Sequence, residues 1–183
     1  WELKDETRLS EMYLDEKPEG DRIPTGLTHL DHLMGGGLKR GNLGVILAPP
    51  KRGKTTTLIN IGFGALMSSE PLNVVHYSME MDRDDVLERY HDRLMGKQKA
   101  LRDTDPEAFV EDLKRELTQT VRGNLYVHRY HTRTASVSHL RAHLALLQAN
   151  NFTPDLVLVD YADIMKPERR LGEMRHEQAG IYE

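Results

Sequence analysis

The feature that most constrains what this chain of 183 residues can fold into is an alternation of short apolar, β-branched runs with stretches at helical spacing. Residues 43–48, 73–78, 124–128 and 156–160 read as strands, and residues 55–67, 82–95, 106–121 and 136–149 read as helices. The last run, Leu156-Val157-Leu158-Val159, is unbroken and apolar, the pattern of a strand covered on both faces. Strand, helix, strand repeated means parallel strands joined by helical crossovers. The expected fold is therefore α/β, an open parallel sheet with helices on both faces.

Between the first strand and the helix after it lies Ala48-Pro49-Pro50-Lys51-Arg52-Gly53-Lys54-Thr55. This is the phosphate-loop pattern Gly-x-x-x-x-Gly-Lys-Ser/Thr with alanine in the first place. Phosphate binding at such a turn needs close backbone approach, converging N–H groups and the positive end of a helix dipole. Ala48, Lys51, Arg52, Gly53, Lys54, Thr55 and Thr56 are the expected nucleotide-binding residues. Pro49 and Pro50 lack an N–H, but they precede the stretch expected to donate most of the bonds. Lys54 is expected to reach the β and γ phosphates of ATP, and the Thr55 hydroxyl to ligate Mg²⁺. The alternative is a turn that merely contains Gly-Lys-Thr; a strand before it and a helix after it favour the nucleotide reading.

Two carboxylates fall at the same edge of the expected sheet. Asp160 ends the fourth strand, where it suits the magnesium site opposite Thr55; the alternative is a helix cap or turn aspartate. Glu80, in Ser78-Met79-Glu80-Met81, follows the second strand. A carboxylate there is placed to activate the water that attacks the γ phosphate, alternatively to sit in solvent at the head of the next helix.

Charge adds organisation. The chain holds 25 Lys+Arg and 29 Asp+Glu, but seven of the acids and only three of the bases lie in residues 1–20, so the remainder balances. Residues 1–20 are expected to form an acidic linker carrying a weak amphipathic helix (Leu9, Met12, Tyr13), with residues 21–183 as the ATPase core. A second short helix, over residues 27–34 and closed by Gly35-Gly36-Gly37, should precede the first strand. No cysteine is present, which removes disulfides and thiolate metal sites and fits a reducing compartment. No apolar run is long enough to span a bilayer, so the expectation is a cytoplasmic protein without membrane attachment. Because the chain opens on a tryptophan and ends without a helix-stop signal, a piece of something longer is expected.

Ile23-Pro24-Thr25-Gly26, Leu30-Asp31, Gly36-Gly37-Leu38 and Gly41-Asn42-Leu43 together resemble the lead-in to the RecA-like core of hexameric replicative helicases of the DnaB type. In that family the phosphate loop often begins with alanine and carries an early proline. Ser78-Met79-Glu80-Met81 resembles the segment bearing the family's catalytic base, and Val159-Asp160-Tyr161 its magnesium-site segment, with phage members the most similar. The resemblance implies a RecA-like P-loop NTPase core, C-terminally incomplete, since the polar sensor strand, the DNA-binding loops and the arginine finger would follow residue 183. It implies Mg-ATP hydrolysis with Lys54 and Glu80 as catalytic residues, and translocation on single-stranded DNA in a hexameric ring. It further implies a primase or helicase loader as partner. A recombinase-type or clock-protein-type ATPase of the same superfamily, without helicase activity, shares the lead-in and is the alternative; a binding module that has lost catalysis is a third.

Other patterns carry less. No acid occurs between Leu117 and Pro154, while Arg122, Arg129, Arg133 and Arg141 and His128, His131, His139 and His143 do. These could form a patch facing DNA phosphates or an acidic neighbour, or a solvated face with arginines over apolar surface. Neither cysteine nor acid accompanies the histidines, so a zinc site is not expected. Arg89 and Arg93 are expected to pair with Asp85 on a helix surface, residues 96–105 to form an exposed loop, and Met34, Met67, Met79 and Met81 to fill the core.

Overall fold

A computed structural model describes residues 22–96 and 100–167. The elements run β1 (Arg22–Ile23), α1 (Thr28–Leu33), β2 (Leu38–Lys39), α2 (Lys54–Leu66), β3 (Asn73–Ser78), α3 (Arg83–Met95), α4 (Leu101–Thr104), α5 (Pro106–Thr120), β4 (Asn124–Arg129), α6 (Val137–Ala149) and β5 (Leu156–Asp160), closed by a 3₁₀ turn at Ala162–Ile164. β4, β3 and β5 form a parallel sheet in that order, and β1 and β2 a separate antiparallel pair. Ser78 is in register with both Arg129 and Asp160, so the three strands end level with one another.

The sheet is parallel because each connection carries a helix, and each helix has a local reason to start where it does. Asp105 caps α5 by accepting a hydrogen bond from the Ala108 amide (3.1 Å), with Pro106 in the first turn, where its missing N–H costs nothing. At α6 the Ser136 hydroxyl and His139 Nδ1 lie 2.8 Å apart across the helix start. α3 carries Asp84 and Asp85 in its first turn, favourable to the helix dipole.

β3 runs through the middle of the molecule and is buried from Val74 onwards. Its Val74 faces the core built with Ile59, Ile61, Ala65 and Leu66 of α2 and Val86 and Tyr90 of α3. Val75, Tyr77 and Met79 face the other core, against Leu140 and Leu147 of α6. Two apolar layers thus sandwich the sheet, as the alternation of the sequence requires. Met79 is buried and Met81 packs against the first layer.

Two expectations need correction. Residues 43–48 lie outside any strand: among the described residues no strand pairs with them, and Leu43, Val45 and Leu47 are exposed, while Ile46 packs against the α2 layer. An apolar, β-branched run satisfies the strand pattern, but a strand is made by a hydrogen-bonded neighbour, which local sequence does not encode. The stretch expected as a loop over residues 96–105 contains the short helix α4.

The lead-in is closed on itself by a polar clamp. Asp31 accepts from the Thr25 amide (2.8 Å), the Thr25 hydroxyl (2.6 Å) and the Gly26 amide (3.0 Å). The loop so formed lies directly on α2: a Cβ on Gly64 would sit 2.4 Å from the Gly26 nitrogen. Asp31 therefore fixes the shape of the Thr25-Gly26 loop, and the paired glycines Gly26 and Gly64 let that loop approach α2 closely.

Candidate functional site

The site forms where the level strand ends meet the start of α2. Gly53, at φ 85° and ψ 20°, precedes the helix in a left-handed conformation that a side chain would oppose, and turns the chain into α2. The Thr57 amide and hydroxyl both donate to the Gly53 carbonyl, at 2.8 and 3.0 Å, securing the first turn. Lys54 opens the helix, followed by Thr55 and Thr56. Ala48, Lys51 and Arg52 lie in the loop ahead, with Lys51 and Arg52 exposed and Lys51 at φ 60°.

Ser78 holds the next turn in shape: its hydroxyl donates to the Met81 carbonyl (2.8 Å) and accepts from the Met81 amide (3.0 Å). The Met79 amide donates to the Asp160 carbonyl (2.8 Å), tying this turn to the end of β5, and the Thr132 hydroxyl donates to the Met79 carbonyl (3.1 Å). Glu80 projects from this braced turn into solvent.

Asp160 is the opposite case. It is 1% exposed, and among the described residues neither carboxylate oxygen accepts a hydrogen bond of good geometry. Burial raises its pKa above the usual carboxylate range; the Thr55 hydroxyl opposes this, Glu80 raises it further, and Lys54 and Arg89 lower it. Thr55, Glu80, Lys54 and Asp160 thus share one electrostatic neighbourhood. A buried carboxylate with two orphaned oxygens beside a threonine hydroxyl is a donor set that fits a hard divalent cation such as Mg²⁺.

Four neighbours, Tyr161, Arg89, His76 and Tyr90, stand at the site in ways the sequence did not indicate. Tyr161 follows Asp160 across a cis peptide bond, and the Lys54 Nζ lies 4.7 Å from its ring centroid. Arg89 acts on Asp160, and no pair of it with Asp85 is found among the described residues; Arg93 likewise turns from Asp85, donating to Asn60 Oδ1 (2.8 Å) and lying over the Phe63 ring. His76 and Tyr90 are buried on the same sheet face, with His76 Nδ1 3.0 Å from the Tyr90 hydroxyl. Their only sequence signal was a polar residue inside a buried strand and an aromatic one on a helix face. A cavity of about 390 Å³ lies elsewhere, lined by Phe63, Leu87, Leu117 and Leu125 among others and by no phosphate-loop residue.

The acid-free stretch is not gathered into one surface. Arg122 donates to the Ser69 carbonyl (3.3 Å) near the start of β4, and Arg129 pairs with Asp82 at its end. His139 is used at the start of α6, and His143 Nδ1 bonds the Tyr77 hydroxyl (2.8 Å) within a ring cluster that includes His128. Among the described residues no group of three or more histidine or acidic side chains is arranged to hold a metal ion.

A parallel sheet covered on both faces, with a Gly-Lys-Thr turn leading into a helix beside the level strand ends, places the chain among RecA-like ATPase domains. Comparison with known proteins narrows the class. Residues 22–181 match the DnaB-like helicase C-terminal domain, and the chain belongs to that family. Solved structures agree on the fold. One, described as a DnaB-like replicative helicase and its interactions with primase, superposes with a TM-score of 0.71 at 22% identity, over 97% of this chain and 44% of the other. A second, described as an ATPase domain, superposes with a TM-score of 0.67 at 21% identity, over 93% of this chain and 61% of the other. The chain thus spans roughly half the length of these structures. No curated protein matches in sequence. No helix among the described residues is long and apolar enough to cross a membrane.

Proposed function

We propose that this chain is the ATP-binding and ATP-hydrolysing core of a replicative DNA helicase that couples Mg-ATP hydrolysis to movement along single-stranded DNA. The observation that carries the proposal is Asp160, a buried carboxylate with both oxygens unpartnered, set in one electrostatic neighbourhood with Thr55, Lys54 and Glu80.

In this reading the loop amides of residues 51–56 and the first turn of α2 bind the phosphates, with Lys54 on the β and γ groups. Ala48 lets the loop pass close to the nucleotide. Thr55 and Asp160 hold Mg²⁺, which when bound neutralises charge developing on the transferred phosphoryl group. Glu80, held by the Ser78–Met81 turn but open to solvent, orients the attacking water and takes its proton. The two acids differ in burial: Glu80 is exposed, whereas Asp160 is buried.

The full protein is proposed to work as a ring of six on single-stranded DNA in the cytoplasm, with a primase or a helicase loader as partner. Family membership supports this, as does the likeness to a helicase described with its interactions with primase. A forked-duplex strand-displacement assay on the full-length protein tests it. ATP-dependent unwinding that is lost in Lys54→Ala, together with ATP binding or turnover, is expected; DNA-stimulated turnover without unwinding would favour a recombinase-type or clock-type ATPase.

A further inference from the structure

The Lys54 ammonium does not rest on a carboxylate. Asp160 is at hand, since Lys54 acts on its charge, yet among the described residues no carboxylate pairs with Lys54. Its Nζ lies instead over the Tyr161 ring, 4.7 Å from the centroid, while both Asp160 oxygens stay unpartnered. A lysine on a flexible four-carbon stem next to a desolvated carboxylate would otherwise be drawn into an ion pair with it. That pair would occupy both the group meant for phosphate and the group meant for the cation, and each nucleotide would have to break it on binding. A cation–π contact is weaker and shorter in reach. It can hold an ammonium in place and still yield it to a polyphosphate.

We infer that Tyr161 is a positioning residue for Lys54: its ring holds the ammonium at the mouth of the phosphate loop and keeps it off Asp160. The inference rests on the nucleotide-site reading given above. The geometry follows from the order of residues, because Tyr161 directly follows Asp160 at the end of β5 and so reaches the start of α2 from the cation side. The face of the ring supplies the interaction and the hydroxyl is incidental.

The test is steady-state ATP hydrolysis and equilibrium ATP binding by the full-length protein carrying Tyr161→Phe, Tyr161→Leu, Tyr161→Met or Lys54→Ala. Leu and Met remove the ring with side chains of different shape, and Phe keeps it. The KM for Mg-ATP should rise roughly three- to thirtyfold in Leu and Met, because Lys54 then pairs with Asp160 and each nucleotide must break that pair on binding. It should stay within about threefold in Phe, and kcat at saturating ATP should change less than KM in all three. A wild-type KM in both Leu and Met would overturn the inference, as would a loss in Phe equal to that in Leu, or a fall in kcat at unchanged KM. The two readings separate cleanly. Undiminished ATP affinity in Lys54→Ala contradicts the nucleotide site itself, whereas weakened binding in Lys54→Ala with an unaltered Tyr161→Leu contradicts only the role of Tyr161.

Discussion

At the scale of single residues, His76 bears on stability. It is fully buried on β3 with Nδ1 on the Tyr90 hydroxyl and Nε2 unpartnered, and burial lowers its pKa to about 4. The unfolded chain takes up this proton near the ordinary histidine value of about 6.5, the folded chain only near 4. Stability present above pH 6.5 is therefore lost as the pH falls through that window, by roughly 3 kcal/mol once both states are protonated. Asp160 acts in the opposite sense, since a carboxyl whose pKa burial has raised favours the folded state at low pH. Urea midpoints of wild type and His76→Gln between pH 4 and 7 isolate the histidine: the variant should show a shallower decline, and parallel curves would contradict this. Lys54, Thr55, Glu80 and Asp160, to which the proposed function gives roles, stand out in the local sequence pattern. His76, Tyr90, Arg89 and Tyr161 do not, because each matters through a side chain brought alongside by the fold.

At the scale of elements, α2, α3, α5 and α6 and the strands β3, β4 and β5 were legible, since caps, periodicity and apolar runs agree on them, whereas the short α4 was not. Two further exceptions share a cause. Residues 43–48 have strand composition without a strand neighbour among the described residues, and Arg93 of α3 finds Asn60 and Phe63 of α2 in preference to Asp85 on its own helix. Pairing across elements outranks pairing along one, as the small value of an exposed i,i+4 ion pair allows. The contact of α2 with the Thr25-Gly26 loop is of the same long-range kind, and it demands a missing side chain. Gly64→Ala would bring a methyl group 2.4 Å from the Gly26 nitrogen and 2.5 Å from the Thr25 carbonyl carbon. Backbone on both sides leaves little room to yield, so a loss of about 1–3 kcal/mol is expected, read as a lower thermal midpoint. An unchanged midpoint would show that the loop lifts off α2 freely.

At the scale of the whole molecule, net charge gave little guidance. The excess of acids over bases lies in residues 1–20, outside the described residues, and the arginines of the acid-free stretch are spread along β4 and beyond it. What unifies the molecule is the level ending of β3, β4 and β5, which sets the Ser78–Met81 turn and Asp160 beside one another and both beside the start of α2. The central claim is that this shared edge hydrolyses a nucleotide with Glu80 as base. It is tested most directly by measuring Mg-ATP binding and turnover of Glu80→Gln in the full-length protein. Turnover should fall by about a hundredfold or more, with ATP affinity close to that of wild type. Turnover within tenfold of wild type would contradict the assignment.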